Sequence, residues 1–141
     1  MKIQIPIYRA RICTDTSFIE ETTTDEYIEG NLIEDEGIFY IVKNIVLTTY
    51  NGWLQICDEC EFLSAINPST LAIHFPDMID SEGNKIFASL SEDGKGGDIL
   101  KFSHLNETMF YSNCRFFAGN GLEFFTIKEI SKKIEITGIQ E

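Results

Sequence analysis

Short runs of β-branched and aromatic residues, each cut off by Gly, Asn or Asp, constrain this chain more than any other feature. The sharpest case is Tyr50-Asn51-Gly52-Trp53, where Asn-Gly separates two apolar runs. Both central residues of a type I′ turn need positive φ, which Asn and Gly tolerate best, so the tetrapeptide predicts a two-residue β-hairpin. Asp80-Ser81-Glu82-Gly83-Asn84-Lys85 predicts a second turn, with Gly83 in the left-handed position. Isoleucine occurs 21 times against two valines, with 11 Thr and 11 Phe. Such side chains fit a pleated, half-buried surface, and the punctuation implies an all-β barrel or sandwich.

The strands expected on this basis are 5–14, 27–33, 38–42, 45–50, 53–57, 71–75, 85–88, 98–103, 109–117, 122–127 and 134–138. Little helix is expected: a short piece around Cys57–Leu63, and another over Thr126–Lys133 with Thr126 as its cap and Glu129 three residues on. The 141 residues suit a single domain, 1–141, or two small β subdomains of about 1–66 and 67–141.

Charge narrows the choice of partners. Eleven Lys+Arg against 23 Asp+Glu give −12, the opposite of the basic footprint that binding to nucleic-acid phosphates requires. Nine carboxylates precede residue 37, and Asp15–Glu26 contains no base, which reads as an exposed acidic loop. Ser89–Gly97 reads as a flexible hairpin loop. No run of about 18 apolar residues suggests a membrane span, and Met1–Arg9 lacks a secretory apolar core. Four cysteines do not suggest a disulfide scaffold, so a cytoplasmic protein with reduced thiols is expected.

Candidate chemistry is sparse. Cys57-Asp58-Glu59-Cys60 can offer two thiolates to tetrahedral zinc, with Cys13, Cys114, His74 and His104 as further donors. A structural zinc site needs four ligands, and no second paired motif is present. Asp58 and Glu59 oppose thiolate formation, against a redox pair. Lys95-Gly96-Gly97 has lysine ahead of its glycines, unlike a phosphate-binding P-loop. Asp77, Asp80, Glu82 and Asn84 lack the EF-hand spacing and read as a turn. His74 and His104 stand beside no nucleophile or orienting carboxylate and read as surface or rim residues. Trp53, Phe116-Phe117 and Phe124-Phe125 suggest a stacking platform, but only Arg115 supplies a nearby base. Adjacent Phe residues on a strand point to opposite faces, so one of each pair is expected to pack under a second sheet or into an interface. No catalytic, cofactor-binding or metal-ligating residue is expected from these patterns.

Several motifs, taken in order, are similar to those of the YopX family, small proteins of phages and prophages. They are Asn67-Pro68-Ser69-Thr70, the strand Leu71–Phe75, Asp80-Ser81-Glu82-Gly83-Asn84-Lys85-Ile86-Phe87 and Gly97-Asp98-Ile99-Leu100. Tyr27–Ile33, with Gly30 between apolar residues, resembles the family's early strand, and Ile134–Ile139 its closing one. The chain departs from the family in the longer segment Ala88–Gly96, in Phe75-Pro76-Asp77 before the turn, and in Gly138-Ile139 at the end. The resemblance implies a mainly β protein with an SH3-like barrel element and additional antiparallel strands, able to form oligomers, and it implies no reaction. A phage or prophage accessory protein that acts by binding protein partners is the functional expectation. A nucleic-acid-mimicking inhibitor of a basic host protein is the alternative suggested by the charge.

Overall fold

The computed structural model describes residues 6–13, 23–43, 47–56 and 61–141. In chain order the strands are β1 Ile7–Cys13, β2 Thr23–Asp35, β3 Ile38–Lys43, β4 Leu47–Tyr50, β5 Trp53–Ile56 and β6 Glu61–Ala65. A 3-10 turn, Pro68–Thr70, leads to β7 Ala72–His74 and β8 Ala88–Ser89. The remainder is β9 Asp98–Phe102, β10 Leu105–Ser112, β11 Arg115–Ala118, the helix α1 Phe124–Ile130 and β12 Ile134–Ile139. The protein is mainly β, as its apolar punctuation predicts.

Ten strands form one sheet in the order β12-β9-β10-β8-β7-β1-β2-β3-β6, with β11 on β10; β4 and β5 form a separate ribbon. All its pairings are antiparallel except β8 with β10, which meet only at Ser89 and Phe110. Among the described residues no ladder joins β12 to β6, so this path is open. Strand β10 changes partner midway. Its Leu105–Thr108 half pairs with β9 and its Met109–Ser112 half with β11.

Tight turns set the registers. Asn51 and Gly52 adopt φ of +50° and +80°, the expected type I′ geometry. Glu36-Gly37 has the same angles between β2 and β3. Asn113-Cys114, at +52° and +60°, divides the expected strand 109–117 into β10 and β11. The sequence hides that turn because Cys stands where Gly is usual. Gly83 takes φ +84° as expected, and Ile79 bridges Lys85 across the turn.

Three other expectations are corrected. The segment 122–127 is not a strand: its aromatics suggest one, but Phe124 and Ile127 lie i, i+3 on a helix and bury one face of α1. The cap is Glu123 rather than Thr126, and the helix ends where the Ser131 N–H meets the Ile127 carbonyl. Of the expected helix around Cys57–Leu63, residues 57–60 lie outside the described residues and Glu61–Ala65 pairs with β3 as a strand. The proposed acidic loop likewise lies mostly outside them, and Thr23–Glu26 belongs to β2.

Two apolar clusters line the sheet. One gathers Ala10, Ile28, Ile41, Ile66 and Leu71 around β1–β3. The other packs Met78, Ile86, Leu100, Phe102, Met109, Phe124 and Ile127 between β9, β10 and α1. Burying a side chain of this size contributes about 1.5–3 kcal/mol.

Candidate functional site

Buried polar groups meet between β1 of one apolar cluster and β9 of the other. On β1, Arg9 is almost wholly buried. Its Nη2 donates to Asp98 Oδ1 at 2.9 Å and to the Gly96 carbonyl at 2.7 Å. The other oxygen, Asp98 Oδ2, accepts the Phe87 N–H at 2.8 Å. The guanidinium lies 4.5 Å from the Phe87 ring centre, a cation–π contact. Arg9 Nε is buried without a hydrogen-bond partner.

His74 abuts the same Phe87 ring at 5.5 Å and places Nδ1 3.0 Å from the Ile86 carbonyl. A carbonyl only accepts, so Nδ1 carries the proton of the neutral ring. Burial pushes the His74 pKa down, only partly offset by that hydrogen bond. Burial pushes the Asp98 carboxyl up, against the opposing pull of Arg9 and the Phe87 N–H. Because both oxygens of Asp98 and the terminal guanidinium nitrogen are engaged, this cluster acts as a structural latch rather than a reacting centre.

An open site lies on the β10–β11 hairpin. In its register Phe110 faces Phe117, and Tyr111 faces Phe116. Alternation therefore sends the two aromatic pairs to opposite faces. Tyr111 and Phe116 turn inward against the larger apolar cluster, and Phe75 completes the trio, edge-on to Phe116 and tilted against Tyr111. Phe110 and Phe117 stack at 5.7 Å with planes 12° apart. They line a groove of about 360 Å³ with Leu90, Ser91 and Glu92 along its other wall. Leu90 is 40% exposed. Carboxylates border this apolar floor: Glu92 lines it, and Glu107 Oε2 lies on the open side of Gly119, which also lines it, 2.9 Å from where a Cβ would stand.

The residues singled out from sequence do not converge. Cys57 and Cys60 lie outside the described residues, while Cys13 is half-buried and Cys114 sits exposed on a hairpin turn. Among the described residues no group of three or more His, Cys, Asp or Glu gathers to hold a metal. His74 is buried, contrary to the surface position expected, whereas His104 is exposed. Asp80 uses its carboxylate on its own turn, accepting the Glu82 and Asn84 N–H groups and the Asn84 amide at 2.8–3.0 Å. Those hydrogen bonds outweigh burial and hold its carboxyl below the usual range.

Ser89–Gly97 is not a loose loop either. Gly94, Gly96 and Gly97 are buried, and Ser89 Oγ donates to the Lys95 carbonyl at 2.8 Å. The aromatic candidates also separate: Phe116 faces inward, Phe117 lines the groove, Phe124 is fully buried, and Phe125 is 56% exposed on α1. Arg115 is tied to Glu123 at 2.9 Å.

Sequence reading missed the Arg9–Asp98 latch. Its signal was present: two arginines, Arg9 and Arg11, inside the strand run Tyr8–Ile12, and an Asp opening the apolar run Ile99-Leu100.

Comparison with family models, with curated proteins and with solved structures finds no match to this chain. Among the described residues no helix is long and apolar enough to cross a membrane.

Proposed function

We propose that the chain is a phage- or prophage-encoded accessory protein of YopX-like type. In this reading it works in the bacterial cytoplasm as a protein-binding module, with SH3-like elements in its β body. The observation that carries the binding role is the Phe110–Phe117 groove, an apolar floor with a carboxylate-bearing rim. That combination suits a partner segment presenting one large apolar side chain among Lys or Arg residues, because buried aromatic contacts supply affinity and charge supplies orientation.

Selection from a random peptide display library tests the reading. The wild-type protein should enrich apolar-basic sequences that Phe117→Asp does not recover. Equal enrichment by both proteins would exclude the groove. Sedimentation over a range of concentrations tests the self-associating form, in which a second copy fills the groove and Phe117→Asp remains monomeric.

The second reading, a nucleic-acid mimic directed at a basic host protein, draws on the exposed carboxylates Asp25, Glu26, Glu29, Glu34, Asp35 and Glu36 along β2 and its turn. Binding to a basic partner would then weaken with added salt and with Glu34, Asp35 and Glu36 changed to Gln or Asn, while Phe117→Asp leaves it intact.

A further inference from the structure

A second cleft, separate from the aromatic groove, brings an arginine and a lysine together on an otherwise acidic chain. It holds about 260 Å³ and lies where β1, β2, the 3-10 turn, the Gly-rich segment and the residues after β12 meet. Arg11 and Lys95 line it together, with the Tyr27 hydroxyl and Ser69 beside them.

Arg11 is held ready rather than free. Its Nε donates to the Tyr27 hydroxyl at 3.1 Å, and the guanidinium lies 5.3 Å from the Tyr27 ring centre. Its backbone N–H donates to Thr70 Oγ1 at 2.9 Å, fastening β1 to the cleft wall. The side chain is only 20% exposed. With one edge fixed by Tyr27, the terminal nitrogens present a planar fork, the geometry that matches a carboxylate or phosphate.

What meets that fork is an internal carboxylate. Glu141 Oε1 lies 3.1 Å from Arg11 Nη2, and Asp25 stands farther off at 3.8 Å from Nη1. The Glu141 side chain is 80% exposed and Asp25 fully so, so water screens both contacts and little holds either in place. Lys95 is bound no more firmly, with Asp93 at 3.7 Å. The cleft thus has two cations, hydroxyl partners and a replaceable carboxylate on its anchoring arginine.

We propose that this cleft is a binding site for a small molecule carrying an oxyanion, a phosphate monoester or a carboxylate, which displaces Glu141 from Arg11. The net charge of −12 disfavours an extended polyanion, but a single oxyanion gripped at hydrogen-bond distance is governed by the local pair of cations.

Calorimetric titration with inorganic phosphate and, separately, with glutarate tests the proposal, and amide chemical shifts locate the site. Saturable binding should perturb the amides of Arg11, Ser69 and Lys95. Arg11→Gln should weaken it by about tenfold or more, Lys95→Gln by several-fold, and Glu141→Gln should tighten it several-fold. Lys95→Gln and Glu141→Gln alter exposed side chains, so they report on binding even where Arg11→Gln unfolds the protein. Phosphate binding alone identifies the ligand as a phosphate ester, and glutarate binding alone as a carboxylate. No saturable binding of either anion to wild type or Glu141→Gln at tens of millimolar overturns the proposal. Affinity that ignores both Lys95→Gln and Glu141→Gln overturns it as well.

Discussion

Arg9 Nη2 and Asp98 Oδ1 meet at 2.9 Å across 89 residues of sequence, and both side chains are withdrawn from water. The contact fastens β1 to the start of β9 and so links the two apolar clusters. Removing one partner leaves the other charge buried and unpaired, which costs about 3–5 kcal/mol. Asp98→Ala and Arg9→Met should each lower stability to urea by that amount. The double variant Arg9→Met/Asp98→Leu should recover much of the loss, because two apolar groups leave no orphaned charge.

Acid should remove the contribution that the buried, neutral His74 makes to the fold. Burial lowers the His74 pKa in the folded state, so its contribution to stability is full above the unfolded value of about 6.5 and is lost as pH falls towards the folded one. Asp80, also lowered, adds a loss only below about 3.8. Asp98 is raised and acts in the opposite sense: its contribution is greatest below about 3.8 and declines as pH rises through its folded value. The stability advantage of the wild type over a variant lacking the imidazole should therefore shrink as urea midpoints are followed from pH 7 to 5.5. His74→Gln, which can still donate to the Ile86 carbonyl, is that variant, and a constant difference across the range would exclude His74.

Local chemistry was legible in the sequence and long-range pairing was not. Asn51-Gly52 and Asp80–Lys85 fold as expected because the required φ values and turn hydrogen bonds arise within a few residues. Phe124-Phe125 misled because strand propensity describes a half-buried surface, whereas here burial of Phe124 and Ile127 on one helical face decides the conformation. The latch was hidden for a different reason: Arg9 reads as an ordinary surface base until β7 and β9 are placed around it. Asp98, which helps carry the YopX resemblance through Gly97-Asp98-Ile99-Leu100, proves to be an architectural residue. Gly97 beside it has no room for a side chain, since an added Cβ would lie 2.6 Å from the Met109 carbonyl oxygen.

The Asn113-Cys114 turn is strained at its second position, where Cys114 has φ +60°. Glycine adopts that angle without steric cost. Cys114→Gly should stabilise the protein by about 0.5–1 kcal/mol, seen as a higher Tm, despite the greater freedom of glycine in the unfolded chain.

Gly30 permits β2 and β3 to lie flush. A Cβ there would collide with the Val42 carbonyl oxygen, which is backbone and cannot rotate away. Gly30→Ala should destabilise by about 1–3 kcal/mol. Hydrogen exchange should locate the loss along the Asn31–Val42 end of the ladder, leaving β9 and β10 protected.

Phe117 provides the cleanest separation of folding from binding. It is half-buried on the groove side of the hairpin and stacks on Phe110, while its neighbour Phe116 supports the interior. Losing the stack alone costs about 0.5–1.5 kcal/mol. Phe117→Ser should therefore leave a folded protein with a modestly lower Tm. A peptide selected for the groove should nevertheless bind it about 30-fold more weakly, the equivalent of about 2 kcal/mol for an aromatic anchor. Phe116→Ser should reverse that balance, with a larger fall in stability because its ring packs against Phe75 and Tyr111. If peptide affinity tracked Tm equally across both variants, the groove would be acting only through the fold. A loss of affinity confined to Phe117→Ser assigns the contact to the groove itself.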